Sequence, residues 1–142
     1  MKVSNGLIEA LKEFEKFRPK AYWDKHGKVW TCGYGTTLHI TENSTCTEEQ
    51  ALKWVRRDIA PIERFLNTVS EINTQNKFDA CADFCYNLGT PTFKKSTLLK
   101  RIQNKYPLSS IQDGFRMYVY SNHVKLEGLV KRREYEARLF VK

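Results

Sequence analysis

The stretch Phe14-Glu15-Lys16-Phe17-Arg18-Pro19-Lys20-Ala21-Tyr22-Trp23-Asp24-Lys25-His26-Gly27-Lys28-Val29-Trp30-Thr31-Cys32-Gly33-Tyr34-Gly35 is where the chain changes character. Before it, Leu7, Ile8, Leu11 and Phe14 recur at helical spacing and make one apolar stripe. A first helix is therefore predicted from about Ser4 or Asn5 to about Lys16, and either of those first residues could cap it. Arg18-Pro19 closes that helix, because the residue before a proline is pushed out of the helical region. Beyond it, aromatic and β-branched residues cluster at Tyr22, Trp23, Val29, Trp30 and Thr31, with Asp24-Lys25-His26-Gly27 as a turn between them. The reading is a small β-hairpin, with a third short strand expected near Leu38 to Thr41.

Outward from the hairpin the pattern is helical. Thr47-Glu48-Glu49-Gln50 is a capping box, opening a helix with Ala51, Leu52, Val55 and Ile59 on its inner face. Pro61 is expected to kink or restart it, and Ile62, Phe65, Leu66 and Val69 continue the stripe. Phe78, Cys81, Ala82, Cys85 and Leu88 predict another helix, with Gly89 where a C′ glycine belongs. Ser96 precedes a helix carrying Leu98, Leu99 and Ile102, which stops before Pro107. Two further segments, about 110–120 and 129–140, finish the chain. No repeat or linker divides it, so one domain over residues 1–142 is expected. The fold class is α+β, mostly helical with a small N-terminal β-hairpin lobe.

A chain of 142 residues with 41% apolar and 28% charged content is that of a folded globular protein, not a disordered one. No apolar run approaches the roughly 20 residues a bilayer helix needs. Met1-Lys2-Val3-Ser4-Asn5-Gly6 is too polar for a secretory leader, which predicts synthesis and retention in a cytoplasm unless something else lets the protein out. The net charge of +8 is uneven: residues 1–76 contribute +1 and residues 77–142 contribute +7. A basic half attracts polyanions such as nucleic acid, anionic lipid or cell wall, but it also reads as a solvated surface. No recognition motif supports nucleic-acid binding. Cys32, Cys46, Cys81 and Cys85 lack zinc-site spacing, and the three histidines are scattered. Cys81 and Cys85, four apart, fit one buried helix face. Cys32 and Cys46 could pair in an oxidising compartment, although reduced thiols are expected without an export signal.

Two carboxyls stand in unlike settings within the opening stretch. Glu15 ends the first helix among Phe14, Phe17, Tyr22, Trp23 and Trp30, a setting that favours a protonated acid. Asp24 lies in the hairpin turn, where it would be wetter and ionised. Glycosidic bond cleavage needs such a pair: a proton for the leaving oxygen, and a carboxylate near the anomeric carbon. Thr31, across the hairpin from Asp24, could orient a water with its hydroxyl. Each residue also has an ordinary reading: Glu15 as a surface helix residue like Glu9 and Glu13, Asp24 as a turn former, Thr31 as a strand residue.

The stretch resembles the active-site segment of the phage-type lysozymes, or endolysins, of glycoside hydrolase family 24. That family's signature is a Glu, eight residues, an Asp or Cys, five residues and a Thr; Glu15 and Asp24 match the first spacing. The resemblance continues through Phe78–Gln103, where CYNLGTPTFKKSTLLKRI is similar to the family's central helix and following turn. It ends with GLVKRREYEARLF (Gly128–Phe140), similar to the C-terminal helix motif. The resemblance implies a lysozyme-like fold with a small β lobe and a larger helical lobe. It also implies inverting hydrolysis of the β-1,4 bond between N-acetylmuramic acid and N-acetylglucosamine, with no metal or other cofactor. On it Glu15 is the general acid, Asp24 stabilises developing positive charge and helps position the attacking water, and Thr31 orients that water. Tyr86 and Asn87 match positions that line the cleft, although an aromatic at a helix tail and a C-terminal polar residue are their plain readings. Arg132 or Arg133 could brace the first helix near Glu15, while a solvated basic face is the simpler assignment.

The chain departs from the pattern in three places. Thr31 lies one residue further from Asp24 than the signature asks, so the hairpin must absorb an insertion near Lys25–Lys28. A Gly usual after the Glu is Lys16, and a His common after the second hairpin glycine is Thr36. The resemblance implies a monomeric endolysin made in the host bacterial cytoplasm and released to the cell wall and periplasm through a holin-made lesion. Bacterial peptidoglycan is the implied partner, nucleic acid is not, and contact of the basic half with anionic membranes stays open. The alternative function is a non-catalytic cationic wall- or membrane-binding protein on a lysozyme scaffold. Among enzymes, a lytic transglycosylase would need the acid but not Asp24 and Thr31.

Overall fold

The computed structural model describes every residue from Met1 to Lys142. Seven helices and two small antiparallel hairpins make it mostly helical α+β, as expected. The chain divides into two compact units, residues 8–61 and residues 1–7 with 62–142.

In the first unit, helix α1 (Asn5–Glu15) contributes all but its opening turn. That opening turn is capped by Ser4, whose Oγ accepts a hydrogen bond from the Leu7 N–H at 3.1 Å. The helix ends one residue earlier than predicted, and its stop is not the proline. Lys16 takes a left-handed conformation, φ 59°, and turns the chain into strand β1 (Arg18–Asp24). Strand β2 (Val29–Gly33) returns antiparallel, with Tyr22 opposite Thr31, Trp23 opposite Trp30 and Asp24 opposite Val29. The extra hairpin residue is absorbed in the loop 25–28, closed by Lys28 N–H to the Asp24 carbonyl at 2.7 Å with Lys28 at φ 53°.

The third strand expected near Leu38 to Thr41 is not there. His39 has φ 62°, which an extended strand cannot accommodate, and residues 38–43 turn. The outer edge of β1 is instead paired further on: Lys20 bridges Thr45, Ala21 N–H reaches the Ser44 carbonyl and Cys46 N–H reaches the Pro19 carbonyl, both at 2.9 Å. Helix α2 (Glu48–Leu66) then opens with the predicted capping box, Gln50 N–H to Thr47 Oγ1 at 3.2 Å and Thr47 N–H to Gln50 Oε1 at 2.9 Å. Its Ala51, Val55 and Ile59 are buried. The helix runs through Pro61, which removes one N–H from the ladder where the two units divide.

In the second unit, helices α3 (Gln75–Leu88) and α7 (Glu127–Phe140) pack together, and α6 (Leu108–Arg116) packs on α7. Thr74 caps α3, and Gly89 ends it at φ 93°. Helix α4 (Thr90–Lys94) was not foreseen. Ser96, as predicted, caps α5 (Thr97–Gln103) by accepting the Leu99 N–H at 2.9 Å. A small hairpin, β3 (Tyr120–Ser121) and β4 (Val124–Lys125), turns on Asn122 and His123, both at positive φ. Paired left-handed residues are what a two-residue hairpin turn requires. The core is aromatic: Phe84 meets Phe93 and Phe115 at 5.6 and 6.1 Å between ring centres, and Phe115 meets Phe140 at 5.7 Å. Burying each such ring is worth about 1.5–3 kcal/mol. Cys81 and Cys85 lie buried in this unit as free thiols, and burial pushes both up.

Candidate active site

Glu15, Asp24 and Thr31 all belong to the hairpin unit. Glu15 is the last residue of α1 and half-buried. Asp24, the last residue of β1, is also half-buried; its Oδ1 accepts the His26 N–H at 3.0 Å, so the carboxylate shapes the turn. Thr31 is only 3% exposed and donates from Oγ1 to the Val29 carbonyl at 3.4 Å.

The strand register sharpens the sequence reading. Thr31 stands opposite Tyr22, and Asp24 stands opposite Val29. Side chains two apart on a strand share a face, as do directly paired residues. Tyr22, Asp24, Val29 and Thr31 therefore line one face of the hairpin, and Trp23 and Trp30 the other, where their rings meet edge-on at 5.4 Å. The insertion has not turned Thr31 away from Asp24's face.

Tyr22 reports on both carboxyls. Burial pushes its phenol up, the charges of Asp24 and then Glu15 push it further, and Arg18 opposes them. The Arg18 guanidinium lies 4.7 Å from the centre of the Tyr22 ring. Both carboxyls are thus within electrostatic reach of one phenol, which stays protonated at neutral pH. Sequence reasoning used Tyr22 only as apolar surroundings; its alternation with Asp24 was the available signal.

The segment after β2 forms a second wall. Cys32 and Thr36 exchange N–H to carbonyl bonds at 2.9 and 3.0 Å, closing a loop over Gly33, Tyr34 and Gly35. Tyr34 is buried and donates to Glu48 Oε2 at 2.8 Å, and its ring packs against Phe17 at 5.6 Å. Thr36, standing where the family pattern commonly has His, donates to Asp58 Oδ2 at 3.3 Å. A hydroxyl therefore keeps a polar tie at this position. Cys32 and Cys46 are free thiols with sulfurs 3.6 Å apart, and burial with the neighbouring sulfur pushes Cys46 up to about 11. No three His, Cys, Asp or Glu side chains converge to hold a metal ion.

Tyr86 and Asn87 belong to the helical unit, near the end of α3. Tyr86 packs against the core, and Asn87 Oδ1 accepts from Arg133 Nη2 at 2.8 Å. The assignment of Arg132 and Arg133 to a solvated face is wrong: they are 5% and 0% exposed. Arg132 holds Asp83 by two bonds of 3.0 and 2.9 Å, and Arg133 holds Glu136 by two of 2.7 and 2.9 Å. Burial alone would push Asp83 up, but Arg132, the hydrogen bond from Glu136 and Arg133 together bring it below its ordinary value. Burial and then Asp83 push Glu136 well up, against the pull of Arg133. Each buried guanidinium is thus bonded twice to a carboxyl group.

The phage lysozyme family model matches residues 12–136. The endolysin of Acyrthosiphon pisum secondary endosymbiont phage 1 is 36% identical over 99% of this chain and 98% of its own length. The endolysin of Bacillus phage B103 is 32% identical over 99% of this chain, which spans about half (54%) of that relative. Among solved structures, the muramidase domain of SpmX from Asticcacaulis excentricus superposes with a TM-score of 0.86 at 30% identity, covering 99% of this chain and 98% of that one. A point mutant of P22 lysozyme gives 0.80 at 28% identity over 100% and 99%. Carrying the Glu15–Asp24 spacing on an α1–hairpin unit of this shape, the chain belongs to the phage lysozyme family.

Proposed function

We propose that this lysozyme hydrolyses the β-1,4 bond between N-acetylmuramic acid and N-acetylglucosamine of peptidoglycan, with inversion, through Glu15, Asp24 and Thr31. The observation that carries the assignment is the hairpin face on which Asp24 and Thr31 lie together, beside a phenol that senses both Asp24 and Glu15. Glu15 gives its proton to the leaving glycosidic oxygen as the bond to the anomeric carbon breaks. Asp24 stabilises the positive charge that develops and takes a proton from the water that attacks the opposite face of the sugar. The Thr31 hydroxyl orients that water. Tyr86 and Asn87 contact the sugar, Asn87 with its amide oriented by Arg133. No metal or other cofactor takes part, and residues 1–142 act as one catalytic domain.

The endolysin relatives support a role in phage lysis of the host. No helix is long and apolar enough to cross a membrane. In this reading a monomeric enzyme accumulates in the host cytoplasm, reaches the wall through a holin-made lesion, and has no nucleic-acid partner.

The decisive experiment is mass analysis of peptidoglycan digested by wild type and by Glu15→Gln. Wild type should yield reducing muropeptides, not 1,6-anhydro products, and the variant should lose about 10²–10⁴-fold in turnover while keeping its fold. Lysis unchanged in Glu15→Gln would overturn the assignment and favour a non-catalytic cationic mode of action.

A further inference from the structure

We propose that Gly35 is a positioning residue for the Glu15 carboxyl, its bare Cα forming the wall against which that group rests. A Cβ placed on Gly35 would lie 2.5 Å from Glu15 Oε1, 2.8 Å from Cδ and 3.4 Å from Oε2. No side chain other than hydrogen leaves the carboxyl where it is. The wall is also rigid. The Cys32–Thr36 bridge closes the loop that carries Gly35, Tyr34 pins it through Glu48, and Thr36 pins it through Asp58. From the other side, α1 stops at Glu15 with Lys16 in the left-handed region, and Phe17 turns onto the Tyr34 ring. The two loops that meet at this contact are thus fastened to each other close to it, through Phe17 and Tyr34.

Gly33 supplies the matched comparison. It lies in the same loop with nearly the same φ, 70° against 80° for Gly35. An alanine at either position carries a similar conformational cost. Their added methyls meet different things: at Gly33 the nearest atom is the Ala51 Cβ at 3.0 Å, and no atom of Glu15 is among its nearest neighbours. Backbone strain is common to both substitutions, and displacement of the Glu15 carboxyl belongs to Gly35 alone.

The consequence for turnover rests on Glu15 being the acid, but the contact does not, so the two are tested separately. Unfolding is measured for wild type, Gly35→Ala, Glu15→Ala and the double variant, with Gly33→Ala in the same two backgrounds. Truncating Glu15 removes the atoms that the new methyl strikes. The carboxyl is the end of a flexible side chain and yields at small cost, so the stability loss of Gly35→Ala should shrink by about threefold in the unfolding equilibrium constant in the Glu15→Ala background, while that of Gly33→Ala should not change. If Gly35→Ala alone does not fold, folding of the double variant is the same result. In the Glu15 background, kcat on soluble glycan-strand oligomers should fall about 100-fold for Gly35→Ala with KM little changed, against a few-fold for Gly33→Ala. Equal losses for Gly35→Ala in both backgrounds, or equal kcat for the two glycine variants, overturn the proposal. Turnover surviving in Glu15→Gln overturns instead the role of Glu15, and leaves the stability cycle intact as a test of the contact.

Discussion

Asp83 and Glu136 in the helical unit and Glu15 and Asp24 in the hairpin unit are all carboxyls set in folded structure, but what surrounds each pair differs. The helical pair is completely buried, each member clasped by two hydrogen bonds from an arginine that is itself buried. The hairpin pair is half-buried: Asp24 takes a backbone N–H, and Glu15 rests on a glycine. The helical environment shifts both of its carboxyls, and the hairpin pair is the one that lies where a sugar could reach it. A guanidinium fork occupies both oxygens of a carboxyl group, which suits a structural role. Half-buried carboxyls beside the Tyr22 ring stay within reach of solvent, which the proposed catalysis requires. Perturbation alone points to the buried pair and away from the proposed site.

Asp83→Asn is the sharpest way to break the structural side of the comparison. It replaces the buried carboxylate that Arg132 holds by two bonds with a neutral amide, and unfolding by denaturant should show a loss of about 3–5 kcal/mol. Residual turnover per folded molecule should stay near that of wild type. On the catalytic side, Asp24→Asn should lower kcat about 10²–10³-fold, while the unfolding midpoint changes little, since an amide oxygen can still accept the His26 N–H. Large stability loss at Asp24, or large turnover loss at fully folded Asp83→Asn, would dissolve the division.

Acid titration separates the buried pair from within. The Asp83 carboxyl lies below its ordinary value in the folded state, so its stabilisation is present above the unfolded value of about 3.9 and is lost as pH falls through the folded one. The stability gap between wild type and Asp83→Asn should therefore narrow on acidification below about pH 4. Glu136 has the opposite sign: raised in the folded state, it stabilises below its unfolded value and loses that contribution as pH rises through the folded one. Glu136→Gln, always neutral, should gain on wild type as pH increases. Parallel curves for the two variants would contradict the opposite shifts of Asp83 and Glu136.

How far the sequence reached follows the same division. Elements defined by local rules were legible: the Thr47–Gln50 capping box, Ser96 and Gly89 at helix ends, and the apolar stripes of α1 through α3. The hairpin and the Glu15–Asp24 spacing were legible because both are local and carry a family signature. What escaped depends on backbone geometry or distant partners. His39 and Lys16 take left-handed conformations that their residue types do not announce, which moved the pairing along the outer edge of β1 to Ser44–Cys46 and set the end of α1. Arg132 and Arg133 looked like surface because the carboxyl groups that bury with them are not announced locally: Asp83 lies in another helix, 49 residues away, and Glu136 is one more charge in the same charged helix. The α3 tail is similar: Asn87 shows a polar residue in sequence, and only the fold reveals Arg133 aligning it.

Thr31 is the smallest and most discriminating test of the hairpin side. Its hydroxyl makes one long bond to the Val29 carbonyl, so little of the fold depends on it, and valine is nearly its shape. Thr31→Val should therefore leave thermal stability almost unchanged. If the hydroxyl orients the attacking water, turnover should fall by the worth of a single hydrogen bond, about 0.5–1.5 kcal/mol or roughly 2–12-fold. The register places Thr31 on Asp24's face despite the longer loop, so the loss should be non-additive with Asp24→Asn, since both act on one water. A Thr31→Val enzyme with full turnover would show that the inserted residue has passed the water to another group, and Tyr22, directly opposite, is the side chain whose replacement by phenylalanine should then reveal it.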